Sequence, residues 1–113
     1  MKESIIVDGV TYVRQSELNI HNYKIVRTYS AGVFAGEVIH RDGQNCIIKN
    51  ARRLWYWDGA ASLSQLAMEG VSHPENCKFP CEVSQVILTN VIEYLDCTQK
   101  CIDSIRKVKI WQK

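Results

Sequence analysis

Up to residue 57 the apolar positions come in short alternating runs, the period of strands with one buried face. Ser4–Val7 and Val10–Arg14 flank Asp8-Gly9, a dipeptide that favours a tight hairpin. Tyr23–Ser30 is rich in β-branched and aromatic residues and predicts a strand. Val33–His40 and Cys46–Asn50 flank Arg41-Asp42-Gly43-Gln44, which predicts a second hairpin. Arg53–Trp57 predicts a short aromatic strand stopped by Asp58-Gly59. The period then changes. Leu63, Leu66, Ala67 and Gly70 recur at helical spacing, with Ser62 and Gln65 placed as a capping box and Gly70 as the stop. Val71–Glu82 holds both prolines and predicts a loop. Val83–Asp96 is long enough for one bent strand or two. Thr98 is placed to cap a helix over Gln99–Arg106, and Val108–Trp111 predicts a last strand.

These elements sum to an α+β fold, mostly antiparallel sheet with two short helices, in a single compact domain spanning residues 1–113. Apolar residues at 46% and charged residues at 23% suit a globular chain and exclude disorder. No apolar run approaches the roughly 20 residues of a membrane span. The opening MKESIIVDGVTYV carries acids and a turn where a secretion signal needs an apolar stretch, so a cytoplasmic protein is expected. A net charge of +2 is too weak to argue for a DNA or RNA polymer. The balance is uneven, however. Lys100, Arg106, Lys107, Lys109 and Lys113 face Asp103 alone in the last fourteen residues, a basic end that either meets solvent or serves an anionic ligand.

Five cysteines without a secretion signal read as free thiols in a reducing compartment. Cys77/Cys81 and Cys97/Cys101 each have three residues between them, at the loose end of zinc-finger spacing. Cys97 and Cys101 also lie one helical turn apart, where packing explains them. His21, His40 and His73 add no ligand pattern, so no metal or other cofactor is expected.

Candidate chemistry sits where polar residues interrupt apolar rows. Arg27 breaks the face Tyr23, Ile25, Tyr29 and needs an acceptor, either a carboxylate of this chain or a ligand phosphate. Asn90 breaks the face Val86, Leu88, Ile92, Tyr94, provided that Val83–Asp96 is one strand; its amide suits a base edge or ribose, and a strand end explains it equally. Phe79, in a proline-flanked loop, is either an edge plug or a stacking platform. Arg53, Trp55 and Trp57 share one face, and Arg52, Leu54 and Tyr56 the other, as in an interface or a sheet core; Trp55 is read as core. Gly32 and Gly36 mark a bulge or a close backbone approach. No nucleophile has a motif-defined base, which weighs against an enzyme.

Three blocks then resemble a known family: Val26–Gly36 (VRTYSAGVFAG), Asn50–Trp57 (NARRLWYW) and Gly59–Leu63 (GAASL), with the loop Pro74–Phe79 (PENCKF). The chain, from about Ile5 to Trp111, resembles the phage Thoeris anti-defence one family. That resemblance implies a viral sponge in the cytoplasm of an infected bacterium. It would bind glycocyclic ADP-ribose, the signal of Thoeris immunity, without cleaving it. It implies a homodimer or a hexamer (a trimer of dimers), the hexamer also taking cyclic trinucleotides of CBASS defence. By resemblance Arg27 contacts diphosphate or ribose, Phe79 stacks on adenine, Asn90 supplies polar recognition and Arg106 a second positive charge. A second nucleotide site would draw on Arg52 and Arg53. The alternative is a nucleic-acid-binding or protein-interaction module built on the Arg52–Trp57 strip.

Overall fold

The computed structural model describes the backbone of residues 4–7 and 10–13, and residues 22–112 in full. Strands β1 (Ser4–Val7) and β2 (Val10–Val13) pair antiparallel with Ile5 opposite Tyr12, as the spacing predicts. The Asp8-Gly9 turn, Arg14 and Lys113 lie outside the described residues.

Five further strands form one antiparallel sheet: β3 (Tyr23–Thr28), β4 (Val33–Asp42), β5 (Asn45–Arg53), β6 (Glu82–Leu88) and β7 (Val91–Asp96). Their order is β6-β5-β4-β3-β7. Gly43 turns the β4–β5 hairpin at a φ of 63°. The expected strand Arg53–Trp57 is not a separate element: β5 runs on to Arg53, and the chain then leaves the sheet except for a bridge between Tyr56 and Lys78. The Leu54 amide donates to the Val33 carbonyl at 2.8 Å while its side chain enters the core.

The run Val83–Asp96 is two strands, and they lie at opposite edges of the sheet although only Thr89 and Asn90 join them. The three steps from Leu88 to Val91 reach about 10 Å, against about 19 Å for the four strand spacings across a flat sheet. The sheet must therefore roll until its edges meet. Gly36 and Asn50 permit the roll. The β4–β5 register shifts between Ala35 and Glu37, and a Cβ on Gly36 would lie 2.6 Å from Ile48 Cγ2. Opposite, Asn50 adopts a left-handed φ of 53°, which its short amide tolerates. The hairpin then bends back over the β3–β7 face. Its tip accepts a hydrogen bond from the Val91 amide at the Gln44 carbonyl (3.0 Å), and the Arg41 guanidinium lies 4.0 Å over the Tyr94 ring.

The roll separates two cores. Val26, Phe34, Ile48, Leu88 and Val91 fill its inside. Ile25, Leu54, Leu66, Phe79, Ile102 and Ile105 fill the space between its outer face and two helices. Helix α1 (Leu63–Glu69) starts at Ser62, whose hydroxyl accepts from the Gln65 amide at 3.1 Å, and stops at Gly70 with φ 79°. The Gln65 side-chain oxygen accepts from the Ala61 amide (2.8 Å), one residue before the N-cap amide that a standard capping box uses. Helix α2 (Gln99–Lys107) is capped by Thr98, which accepts from the Cys101 amide at 3.1 Å. The expected strand Val108–Trp111 reduces to one parallel bridge between Ile110 and Phe79.

Candidate functional site

The turn between β3 and β4 is held unusually tightly for an exposed loop. The buried Thr28 hydroxyl donates to the Gly32 carbonyl and accepts from the Ala31 amide, each at 2.8 Å. The Thr28 amide also donates to Gly32 (3.1 Å), and Gly32 takes a φ of 99° that disfavours a side chain. From the β6–β7 joint, the Asn90 carbonyl accepts from the Tyr29 amide (2.9 Å), and its side-chain amide donates to the Ser30 hydroxyl (2.6 Å). Arg53 closes the far side by donating to the Ala31 carbonyl while lying 4.3 Å over the Phe34 ring. Tyr29 stands on this fixed turn with 81% of its surface exposed. The backbone beneath the ring is thus held by hydrogen bonds while the ring itself faces solvent.

Arg27 stands next to it on β3. Its Nε donates to Glu93 Oε1 across the β3–β7 pair at 2.7 Å, with both side chains nearly half exposed. The acceptor that Arg27 requires is thus a carboxylate of this chain. In water such a pair contributes about 0–1 kcal/mol, so it ties the guanidinium only weakly. The site therefore offers a guanidinium, an aromatic face, an amide and a hydroxyl at one end of the sheet.

The other expected site residues are placed differently. Asn90 lies in the joint between two strands, so the alternation argument for it fails; it reaches the site through Ser30 instead. Phe79 is fully buried, 0% exposed, and is a core residue, so it presents no face for adenine. The Phe79 carbonyl and the Ile110 bridge bind it to the C-terminal segment, which covers what a free loop would expose. Arg52 is also a correction: its guanidinium is buried and spends its donors on the carbonyls of Phe79, Pro80, Ile105 and Val108 at 2.7–3.0 Å. It therefore holds the fold and leaves no donor pair for a nucleotide. Arg53 stays exposed at the turn. Arg106 is exposed in the last turn of α2, outside the hydrogen-bonded group at the β3–β4 turn.

The Arg52–Trp57 strip is not one surface. Arg52 and Leu54 turn inward, whereas Trp55, 59% exposed, turns outward and is not the core residue expected. All five cysteines are free, and no metal-holding group of three or more His, Cys, Asp or Glu occurs among the described residues. Burial pushes the Cys46 and Cys77 thiols up. The Cys101 thiol, hydrogen-bonded to Cys97, draws the Cys97 thiol down while its own is driven up. No helix among the described residues is long and apolar enough to cross a membrane.

Sequence reasoning missed Tyr29 as a site residue, although it ends the same row that drew attention to Arg27. The available signal was its place beside Ser30-Ala31-Gly32, a turn composition that puts a strand's last aromatic in solvent. Glu93 and Ser30 had no signal, because their roles arise from pairing between distant strands. No curated protein and no solved structure matches the chain. Residues 21–105, well over half of it and including the whole β3–β7 site, match the family described as "Domain of unknown function (DUF6948)", and the chain belongs to that family.

Proposed function

We propose that this protein is a non-catalytic sponge, binding a compact nucleotide signal of the glycocyclic ADP-ribose kind and holding it intact. The single observation that carries the reading is the exposed Tyr29 ring on a pinned turn, flanked by Arg27 and Asn90. An adenine has a ring to stack on, a diphosphate has a guanidinium to exchange for Glu93, and a ribose has the Asn90–Ser30 amide and hydroxyl. Tyr29 takes the stacking role that the resemblance gave to Phe79. Sequestration without cleavage, action in the cytoplasm of an infected bacterium, and assembly as a homodimer or hexamer that also takes cyclic trinucleotides extend the same proposal from the resemblance of the central block. Tight capture needs little reorganisation on binding, which the turn's hydrogen bonds favour.

The test mixes protein with a slight deficit of glycocyclic ADP-ribose, removes the protein by filtration and heats it to release what it holds. The expected result is a filtrate depleted of ligand and intact ligand after heating, with capture lost in Arg27→Ala and Tyr29→Ala. Altered products would turn the reading to an enzyme. Ligand left free in the filtrate would overturn it.

A further inference from the structure

A second surface lies where the chain emerges from β5 and where it approaches its C-terminus. Trp55 and Trp111 stack with ring centroids 5.2 Å apart and planes 5° from parallel. They remain 59% and 41% exposed, and Tyr56 beside them 49%. The Lys78 ammonium lies 5.3 Å from the Trp55 centroid, 5.8 Å from Tyr56 and 5.7 Å from Trp111. The backbone fixes this corner: Lys78 bridges Tyr56, and the Trp111 amide donates to the Phe79 carbonyl at 3.0 Å. Trp111 also lines a cleft of about 400 Å³ with Pro74, Glu75, Lys107, Lys109 and Ile110. Its acid, Glu75, faces His73 at 3.8 Å.

Three exposed aromatic rings in one place are costly unless something covers them. The covering group is identified by what surrounds the rings. Lys78, Lys107 and Lys109 are cations, which together with π-faces are the chemistry of base stacking with phosphate pairing. An aliphatic partner would gain nothing from the lysines, and inorganic phosphate nothing from the indoles. We propose that this corner is a binding site for a flat base bearing a phosphate, the base stacking on the Trp55–Trp111 pair and the phosphate lying against Lys107 and Lys109. It is separate from the Tyr29 site and uses none of its residues. That chemistry comes either from a free nucleotide or from a segment of single-stranded nucleic acid.

Tryptophan emission of the full chain is followed while adenosine 5′-monophosphate, a short single-stranded oligoadenylate, adenosine and inorganic phosphate are added in turn. The expected result is saturable quenching by the first, the second or both, with adenosine and phosphate much weaker. A monomer-only response assigns the site to free nucleotides, and a response mainly to the oligomer assigns it to single strands. Trp111→Leu should weaken binding roughly five- to a hundredfold. The exposed pair Lys107→Gln/Lys109→Gln, which leaves the core untouched, should weaken it and flatten its salt dependence. Arg27→Ala should bind as the parent does, which separates this site from the one at Tyr29. Absence of quenching by both base-phosphate probes up to about 1 mM, the weak limit for a specific site, overturns the proposal. Equal affinity in the parent and the lysine variant, or loss of quenching in Arg27→Ala, does the same.

Discussion

The guanidinium of Arg52 lies 5.5 Å over the ring of Phe79 and donates a hydrogen bond to that residue's own carbonyl. The same group reaches Pro80, Ile105 and Val108, so one side chain of β5 fastens the loop before β6, the end of α2 and the start of the C-terminal segment. Truncating it strands several buried carbonyls at once. Arg52→Ala is expected to cost roughly 3–5 kcal/mol, read as a lower urea midpoint with an unchanged slope. Arg52→Lys is expected to recover less than half of that loss, because one ammonium cannot reproduce a planar fork.

Glu93 competes with any anion for Arg27. Glu93→Gln is expected to tighten ligand capture by about two- to fivefold, since an exposed ion pair is worth at most about 1 kcal/mol. Its melting midpoint should stay close to that of the parent. Weaker capture in equilibrium dialysis would show that Glu93 takes part in holding the ligand.

Gly36 sits at the register shift where β4 lies close against β5. A Cβ there meets Ile48 Cγ2 at 2.6 Å, the Lys49 carbonyl at 3.0 Å and Ala51 Cα at 3.1 Å. Two of those atoms are backbone and cannot step aside, so Gly36→Ala is expected to destabilise by about 1–3 kcal/mol. Thermal unfolding measures it. Gly43→Ala is the contrast: its Cβ meets nothing within 4 Å, and its cost is the left-handed φ of 63° alone.

Thiol reactivity should follow exposure and thiolate content. Cys101 donates its proton toward Cys97, holding the Cys97 thiol below its ordinary value despite its burial. As pH rises, Cys97 becomes a thiolate before Cys101, which is driven up by the same hydrogen bond and by desolvation. Alkylation at about pH 8 followed by peptide mass mapping should therefore mark Cys97 and the exposed Cys81 first, and Cys46, Cys77 and Cys101 last. Early labelling of Cys101 would contradict that order.

Local chemistry was legible in the sequence, and long-range chemistry was not. Ser62, Gly70 and Thr98 mark helix ends through groups within four residues of themselves, and each stands where its pattern put it. Arg27's need for an acceptor was also legible, although its identity as Glu93 depends on how β3 meets β7. The end of β5 and the residues after it show a subtler failure. Arg52, Arg53, Leu54 and Trp55 do alternate, but the face carrying a guanidinium is the inner one, since that guanidinium finds backbone carbonyls from residues 27 to 56 positions away. Hydrophobicity alone assigns the inside to tryptophan. Phe79 was misplaced for the same reason, its cover arriving from Ile110 far along the chain. The sequence leaves Val83–Asp96 open between one bent strand and two because Thr89-Asn90 is a weak turn signal inside a continuous apolar run, and the structure takes the second alternative.

That two-residue joint has a kinetic meaning. Hairpins usually assemble from neighbours outward, but β6 and β7 are chain neighbours that never pair with each other. Each must find a partner laid down some thirty to seventy residues earlier, β6 on β5 and β7 on β3. Docking one edge drags the other into reach, so the final closure is a concerted step rather than a zipper. Loop-closure entropy is paid before either ladder rewards it, and the domain should fold slowly for its size.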